Sequence, residues 1–313
     1  MRVVCAPASL KGVLDGAEAA AALARGVRAA GGDAVELPVA DGGEGTAAAL
    51  AAVLGGAWRE ADAEDPLGRP LRARWLLLPD GTAAVDSAAA VGLPLLDPSE
   101  LDPLRASSRG LGLLLRAVLA ERPAALLVGL GGSATVDGGA GMRSQLGRLD
   151  VPTRVACDVR TALLDAPRLF GPQKGASPAG VAELERRLAA DEALRPYAWF
   201  EGSGAAGGLG AAFAALGAEL VPGARLVLET LRFRDRIRGA DLVVTGEGAV
   251  DATTAEGKAP AEVARVAAEE GVRCLVFGGR VDRALPGVET VALSGEPARA
   301  RDDLVELGRS LAA

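Results

Sequence analysis

The residues able to do chemistry concentrate in a few short glycine-rich segments. They are Cys5-Ala-Pro-Ala-Ser9-Leu-Lys11-Gly, Asp41-Gly-Gly-Glu44-Gly-Thr46, Gly129-Leu-Gly131-Gly132-Ser133-Ala-Thr-Val-Asp137-Gly-Gly-Ala-Gly-Met142, Phe170-Gly-Pro-Gln-Lys174-Gly, and Thr245-Gly-Glu247-Gly-Ala-Val-Asp251 running on to Gly257-Lys258-Ala-Pro260. Lys11, Lys174 and Lys258 can neutralise a phosphate or a substrate carboxylate. Asp41, Asp158 and Asp251 can activate a hydroxyl or orient magnesium, and so can Asp137 and Glu247. Ser9 and Glu44 add polar groups to the first two segments. The backbone N–H groups of Gly131, Gly132 and Ser133, expected at a helix start, offer an anion site. Together these are the parts of phosphoryl transfer: donors around the phosphates, carboxylates for magnesium, and a group that positions the attacking hydroxyl.

Other chemistries are excluded. The chain has no histidine, so it has no Ser-His-Asp triad, no Cys-His pair and no imidazole zinc site. Acid–base work falls to Asp, Glu, Lys and Arg. No G-x-x-x-x-G-K-[ST] segment occurs, which removes the Walker-type nucleotide fold. Gly202-Ser-Gly204-Ala-Ala-Gly207 matches G-x-G-x-x-G, but no good strand precedes it. Ala205 to Leu216 therefore reads as a closely packed helix rather than a dinucleotide site. Each singled-out residue also has a plainer use. Asp41 can brace a Gly-Gly turn, Asp137 can cap a helix beginning near Gly138, and Asp158 can cap the turn after a strand.

The elements that must position these segments alternate along the chain. Arg2 to Ala6 reads as a buried strand. Asp15 and Glu18 form a capping-box pattern for a helix to about Ala30. Ala34 to Ala40 is a second strand, and a helix follows from about Gly45 to Leu54. The pattern returns with strands at Leu242 to Thr245, Cys274 to Phe277 and Val288 to Leu293. Between and after them lie a helix opened by Pro260 and a closing helix from Ala298 to Leu311. The two chain ends thus supply five parallel strands for one doubly wound α/β sheet, and its ligand site is expected at the carboxyl ends of the strands. From Ala57 to Leu93 the turns Asp65-Pro66-Leu67-Gly68 and Pro79-Asp80-Gly81 predict hairpins instead. Strands follow at Ala125 to Leu130 and Arg154 to Val159. The expected organisation is one domain from residues 1–55 and 226–313, with a second α/β domain, 56–225, inserted into it. Lys11, Asp41, Ser133, Asp158 and Lys258 are expected to line one interdomain cleft.

Composition agrees with a globular enzyme. Hydrophobic residues make up 50% of the 313 and aromatics 3%, so Ala, Val and Leu must build the cores. A net charge of −7 argues against a nucleic-acid partner. Cys5, Cys157 and Cys274 lie in apolar runs without paired spacing and read as buried thiols of a cytoplasmic protein. No stretch is long and apolar enough for a membrane span. Nothing in the sequence sets the oligomeric state, and a homodimer is compatible with it.

The same segments resemble the bacterial glycerate kinase family. The resemblance rests on A-P-x-S-x-K-G at Ala6 to Gly12, V-A-D-G-G-E-G-T at Val39 to Thr46, and G-L-G-G-S-A-T-x-D-G-G-A-G-M at Gly129 to Met142. It continues with A-C-D-V at Ala156 to Val159, F-G-P-Q-K-G-A at Phe170 to Ala176, G-A-A-G-G-L-G at Gly204 to Gly210, and T-G-E-G-x-x-D-x-x-T-x-x-G-K-A-P at Thr245 to Pro260. These occur in family order over nearly the whole chain. The resemblance implies a flavodoxin-like domain carrying an inserted α/β domain, and ATP with Mg2+ and D-glycerate as substrates. The implied product is 2-phosphoglycerate, with the 3-phosphate as the alternative. Catalytic roles are expected for Lys11, Asp41, Asp158 and Asp251, with the other segment residues binding substrate or nucleotide; metal ligands are not assigned. The chain departs from the family pattern at Ala8, where Asp is usual, and at Val136, Thr161-Ala162 and Ala249. A Glu is more familiar near Asp86, and the Arg143 to Val155 connection is short. These departures keep an alternative in view: a non-catalytic or substrate-shifted paralogue that binds nucleotide or a sugar acid.

Overall fold

The computed structural model describes residues 1–312. Among them are strands β1 (Arg2–Cys5), β2 (Asp33–Glu36), β3 (Ala57–Glu64), β4 (Pro70–Leu77), β5 (Thr82–Asp86), β6 (Ala125–Gly129), β7 (Thr153–Cys157), β8 (Glu219–Pro222), β9 (Leu242–Val250), β10 (Arg273–Val281) and β11 (Glu289–Ala292). The chain divides into two compact units. The first comprises Met1–Asp41, Ala48–Gly55 and the chain from Gly223 on; the second comprises Gly42–Ala47 and Gly56–Pro222.

The first unit holds one sheet in the order β2-β1-β9-β10-β11, parallel throughout. Counted within the unit, that order is 2-1-3-4-5, the flavodoxin-like doubly wound arrangement. The chain winds outward from β1 to β2 on one side and to β9 on the other, so β1 and β9 flank the switch point. Their runs are buried on both faces: Val3, Val4, Cys5, Val243 and Val244 are fully buried. The helix Gly16–Ala29 opens with the expected capping box, Glu18 N–H donating to Asp15 Oδ1 at 2.8 Å and Asp15 N–H to Glu18 Oε2 at 3.2 Å. It lies against the helix Ala300–Ala312 with no room for a side chain at Gly26, where a Cβ would collide with the Val305 carbonyl.

Several strand limits differ from expectation, β7 ending at Cys157 and β10 running on to Val281 among them, and two of the differences have identifiable reasons. β2 stops at Glu36 rather than Ala40, because Pro38 has no N–H to give a ladder. The chain still runs beside β1, Leu37 N–H reaching Cys5 O at 2.8 Å and Val39 N–H reaching Pro7 O at 3.0 Å. β9 continues past Thr245 to Val250 and stays in register with β10 as far as Val250↔Val281. Gly246 permits this, since a Cβ there would strike the Phe277 carbonyl. Glu247 therefore stands on a strand rather than in a loop.

The second unit has a mixed sheet in the order β3-β4-β5-β6-β7-β8. The hairpins predicted before Leu93 are present, β3 to β5 pairing antiparallel, and β5 to β8 are parallel. Trp75, Leu111, Leu115, Val128 and Phe213 fill its core. The Gly131 to Ser133 segment does not start a helix, contrary to the sequence reading; the next helix begins only at Ala140. The segment instead bends at Gly132, which is left-handed with φ 62°, and Ser133 bridges to Gly92; Gly132 O accepts from Leu93 N–H at 2.7 Å and Ala134 N–H donates to Val91 O at 2.7 Å. The G-x-G-x-x-G match packs protein backbone. The helix Ala205–Ala215 kinks through left-handed residues at Ala206, Gly207 and Gly208, and a Cβ on Gly207 would strike the Thr135 carbonyl.

Candidate active site

In the first unit, the carboxyl ends of β9 and β10 and the segments after β1, β9 and β11 line a pocket of about 810 Å³. It lies beside the β1/β9 switch point, where doubly wound sheets bind ligands. Ser9, Lys11, Glu247, Asp251 and Lys258 all line it. Glu247 is the organising carboxylate. Its Oε1 accepts from the Thr254 hydroxyl at 2.8 Å, and its Oε2 stands 4.0 Å from the Lys258 ammonium. Burial raises its carboxyl above the usual range. The Thr254 hydroxyl and Lys258 pull it down, while the charges of Asp41 and Asp251 push it up. Asp251 is different. Its Oδ1 accepts from the Thr253 hydroxyl at 2.6 Å and the Thr253 N–H at 2.8 Å. These bonds hold its carboxyl below the ordinary value, so it braces the turn that carries Thr254. Lys11 is exposed at the pocket wall. A third cation of the lining, Arg280, is paired with Asp282 at 2.9 Å. Pro260 opens the helix Ala259–Glu269 directly after Lys258, which fixes the lysine at a helix start.

The second unit gathers the remaining segments. Glycines allow them to stack closely. A Cβ on Gly129 would stand 2.9 Å from Gly42 O, one on Gly131 2.9 Å from Gly43 Cα, and one on Gly132 3.0 Å from Glu44 Oε2. These contacts bring Glu44 to the Gly131–Ser133 loop. Behind the loop lies Lys174, 3% exposed. It donates to Ser133 Oγ at 2.9 Å and to Thr135 O at 2.8 Å. Burial pulls its ammonium down to about 7, against the attraction of Asp137. Asp137 itself accepts from the Ser108 N–H and hydroxyl at 2.9 and 2.7 Å, and from the N–H groups of Gly139 and Gly141 at 3.0 and 3.1 Å. With so many donors on one carboxylate, its geometry is that of a structural brace. Asp158 is exposed, just past the end of β7.

One residue of this cluster was not singled out by chemistry in the sequence. Asp86 ends β5 and accepts from Gly45 N–H at 3.0 Å and Ala47 N–H at 3.1 Å. It thereby caps the helix Thr46–Leu54 from another strand and pins the glycine loop that carries Glu44. Burial pushes its carboxyl up to about 6, the two N–H bonds opposing and the Glu44 charge reinforcing the rise. The available signal was an acid at the end of a strand-like run, before Ser87. The hydroxyls of Thr46 and Thr135 are buried without a hydrogen-bond partner among the described residues. Among the described residues no cluster of three or more acidic or cysteine side chains forms a metal cage. The cysteines are free, and burial pushes the Cys5 thiol up to about 12, so none is a ready nucleophile. No helix among the described residues is long and apolar enough to cross a membrane.

Comparison with known proteins identifies the family. The chain matches the Glycerate kinase family over residues 3–149 and 148–295. It is 40% identical to the glycerate 2-kinase of Escherichia coli, over 85% of this chain and 82% of that protein. It is 38% identical to the glycerate kinase of Bacillus subtilis, over 90% and 86%. A crystal structure assigned to glycerate kinase 2 of Salmonella typhimurium superposes with a TM-score of 0.87 at 32% identity, covering 100% of this chain and 97% of that one. With the family match spanning nearly the whole sequence and a glycerate 2-kinase at this identity, the chain belongs to the glycerate kinase family.

Proposed function

We propose that this protein transfers the γ-phosphoryl group of ATP to a hydroxyl of D-glycerate, giving 2-phosphoglycerate and ADP. The observation that carries the reading is the pairing of Glu247 and Lys258 in a pocket at the switch point, in a chain 40% identical to a glycerate 2-kinase. The attacking hydroxyl oxygen forms a bond to the γ-phosphorus, the bond to the β–γ bridging oxygen breaks, and the hydroxyl proton passes to a carboxylate. Glu247 suits that step better than Asp251. Its carboxyl is raised and so is the stronger base, whereas the Asp251 carboxyl is lowered and its Oδ1 is engaged. Lys11 and Lys258 neutralise phosphate oxygens, and Ser9 adds a donor on the same wall.

Magnesium travels with the nucleotide and takes few protein carboxylates in such sites. The acids that act on one another around Glu247, namely Asp41 and Asp251, fit that need. Bound there, the ion would neutralise charge on the phosphates. Glu44, the Gly131–Ser133 loop and Asp158 belong, in this proposal, to the recognition of an anionic substrate. Lys174 and Asp137 act behind that surface rather than on it. The non-catalytic alternative gains no support from the named relatives. The test is ADP release by the purified protein with magnesium-ATP and a panel of hydroxy acids. D-glycerate should be the preferred acceptor, and a panel without any acceptor-dependent release would reject the proposal.

A further inference from the structure

Lys174 has a peculiarity that a bracing role does not explain. A lysine ammonium carries three donors, and here two go to neutral acceptors, Ser133 Oγ and Thr135 O. The side chain is almost fully buried, yet among the described residues it makes no ion pair with a carboxylate. Asp137 attracts it, but the Asp137 oxygens are engaged by Ser108, Gly139 and Gly141. A buried charge without a partner is costly. Two neutral acceptors could be satisfied more cheaply by a hydroxyl or an amide.

We propose that the Lys174 ammonium is the buried counter-charge of the Gly131–Ser133 loop, and that the loop binds an anionic oxygen group, a carboxylate or a phosphoryl. Lys174 is then a positioning residue. It acts through Ser133 and through its field, without touching the ligand. The geometry supports this: Gly132 is exposed while Ser133 and Lys174 directly behind it are buried, so the charge is projected through the loop toward its open side. Burial disfavours the charged ammonium and lowers it to about 7; an anion bound at the loop would favour the charged form. The inference rests on the reading of this chain as a kinase for an anionic acceptor.

The experiment uses the full chain with Lys174→Met and Ser133→Ala. Isothermal calorimetry measures D-glycerate and ADP separately, and thermal unfolding is followed for each variant. Met matches lysine in length and removes only the charge and its donors. Lys174→Met should weaken at least one of the two ligands by about tenfold or more, while its melting temperature stays level or rises because an unpaired buried charge has gone. Loss of D-glycerate assigns the loop to the carboxylate; loss of ADP assigns it to a phosphoryl group. Ser133→Ala keeps the charge and should weaken the same ligand by less. A marked fall in melting temperature with unchanged affinities would show a structural brace and overturn the inference. Equal losses in both variants would also overturn it, by showing that the hydrogen bond rather than the charge matters. If the parent releases no ADP with D-glycerate, the functional reading fails. If the parent turns over and Lys174→Met binds both ligands normally, only this inference fails.

Discussion

Asp86→Asn separates the charge of a buried carboxyl from its hydrogen bonds. In the folded chain this carboxyl rises from its ordinary 3.8 to about 6 because burial penalises the anion. The native state therefore holds the proton more tightly than the unfolded chain does. The stabilisation is complete below pH 3.8 and is lost as pH rises through about 6. A rise of this size corresponds to about 3 kcal/mol. Asparagine has no such titration. Its carbonyl can still accept one of the two N–H groups, of Gly45 or Ala47, so at acid pH the substitution should cost only about 1 kcal/mol. The stability difference between parent and variant should then swing by about 3 kcal/mol in favour of asparagine from about pH 3.5 to about pH 7.5. At neutral pH the variant should be the more stable protein by about 2 kcal/mol. Urea unfolding of both proteins at several pH values measures this, and other titrating groups cancel in the difference. A difference that stays flat with pH would refute the claim that Asp86 is ionised against its burial.

Three further outcomes follow from the same geometry. Glu247→Gln keeps an acceptor for Thr254 but removes the base, so kcat should fall by about 10²–10³ while the KM for ATP changes little; steady-state kinetics decides. Asp137→Ala strands the donors of Ser108, Gly139 and Gly141. It should cost about 2–4 kcal/mol in chemical denaturation; an unchanged stability would show that Asp137 is not a brace. Ala8→Asp restores the acid usual in the family at a position whose N–H is bonded to Gly246 O at 2.9 Å. It should raise kcat about tenfold at some expense of stability, measured by single-turnover phosphorylation and by melting; an unchanged kcat would show that the missing acid does not limit this chain.

Much of this architecture was legible because short buried strands and capped helices announce themselves locally. β1 is a plain apolar run, and Asp15 with Glu18 spells a capping box. The antiparallel start of the second unit was written in its Asp-Pro-Leu-Gly and Pro-Asp-Gly turns. What was not legible depends on contacts distant in sequence. Glycines at 129, 131 and 132 read as a ligand cradle at a helix start, yet they also serve packing against Gly42, Gly43 and Glu44. Lys174 reads like any loop lysine, and only its burial against Ser133 and Thr135 reveals its position. Asp137 and Asp251 have the right type for chemistry, but local donors engage them. Glu247 stands half-buried on a strand because Gly246 lets β9 run on beside β10.

We propose that this chain phosphorylates D-glycerate at its 2-hydroxyl. The most direct measurement is a phosphorus NMR spectrum of the product formed by purified protein, magnesium-ATP and D-glycerate, recorded for the parent and for Glu247→Gln. The account predicts 2-phosphoglycerate and ADP in equal amounts from the parent, and product formation slowed by about two to three orders of magnitude in the variant. Product that carries phosphate on the 3-hydroxyl, or no phosphorylated acid at all from a parent that is folded and binds ATP, would contradict it.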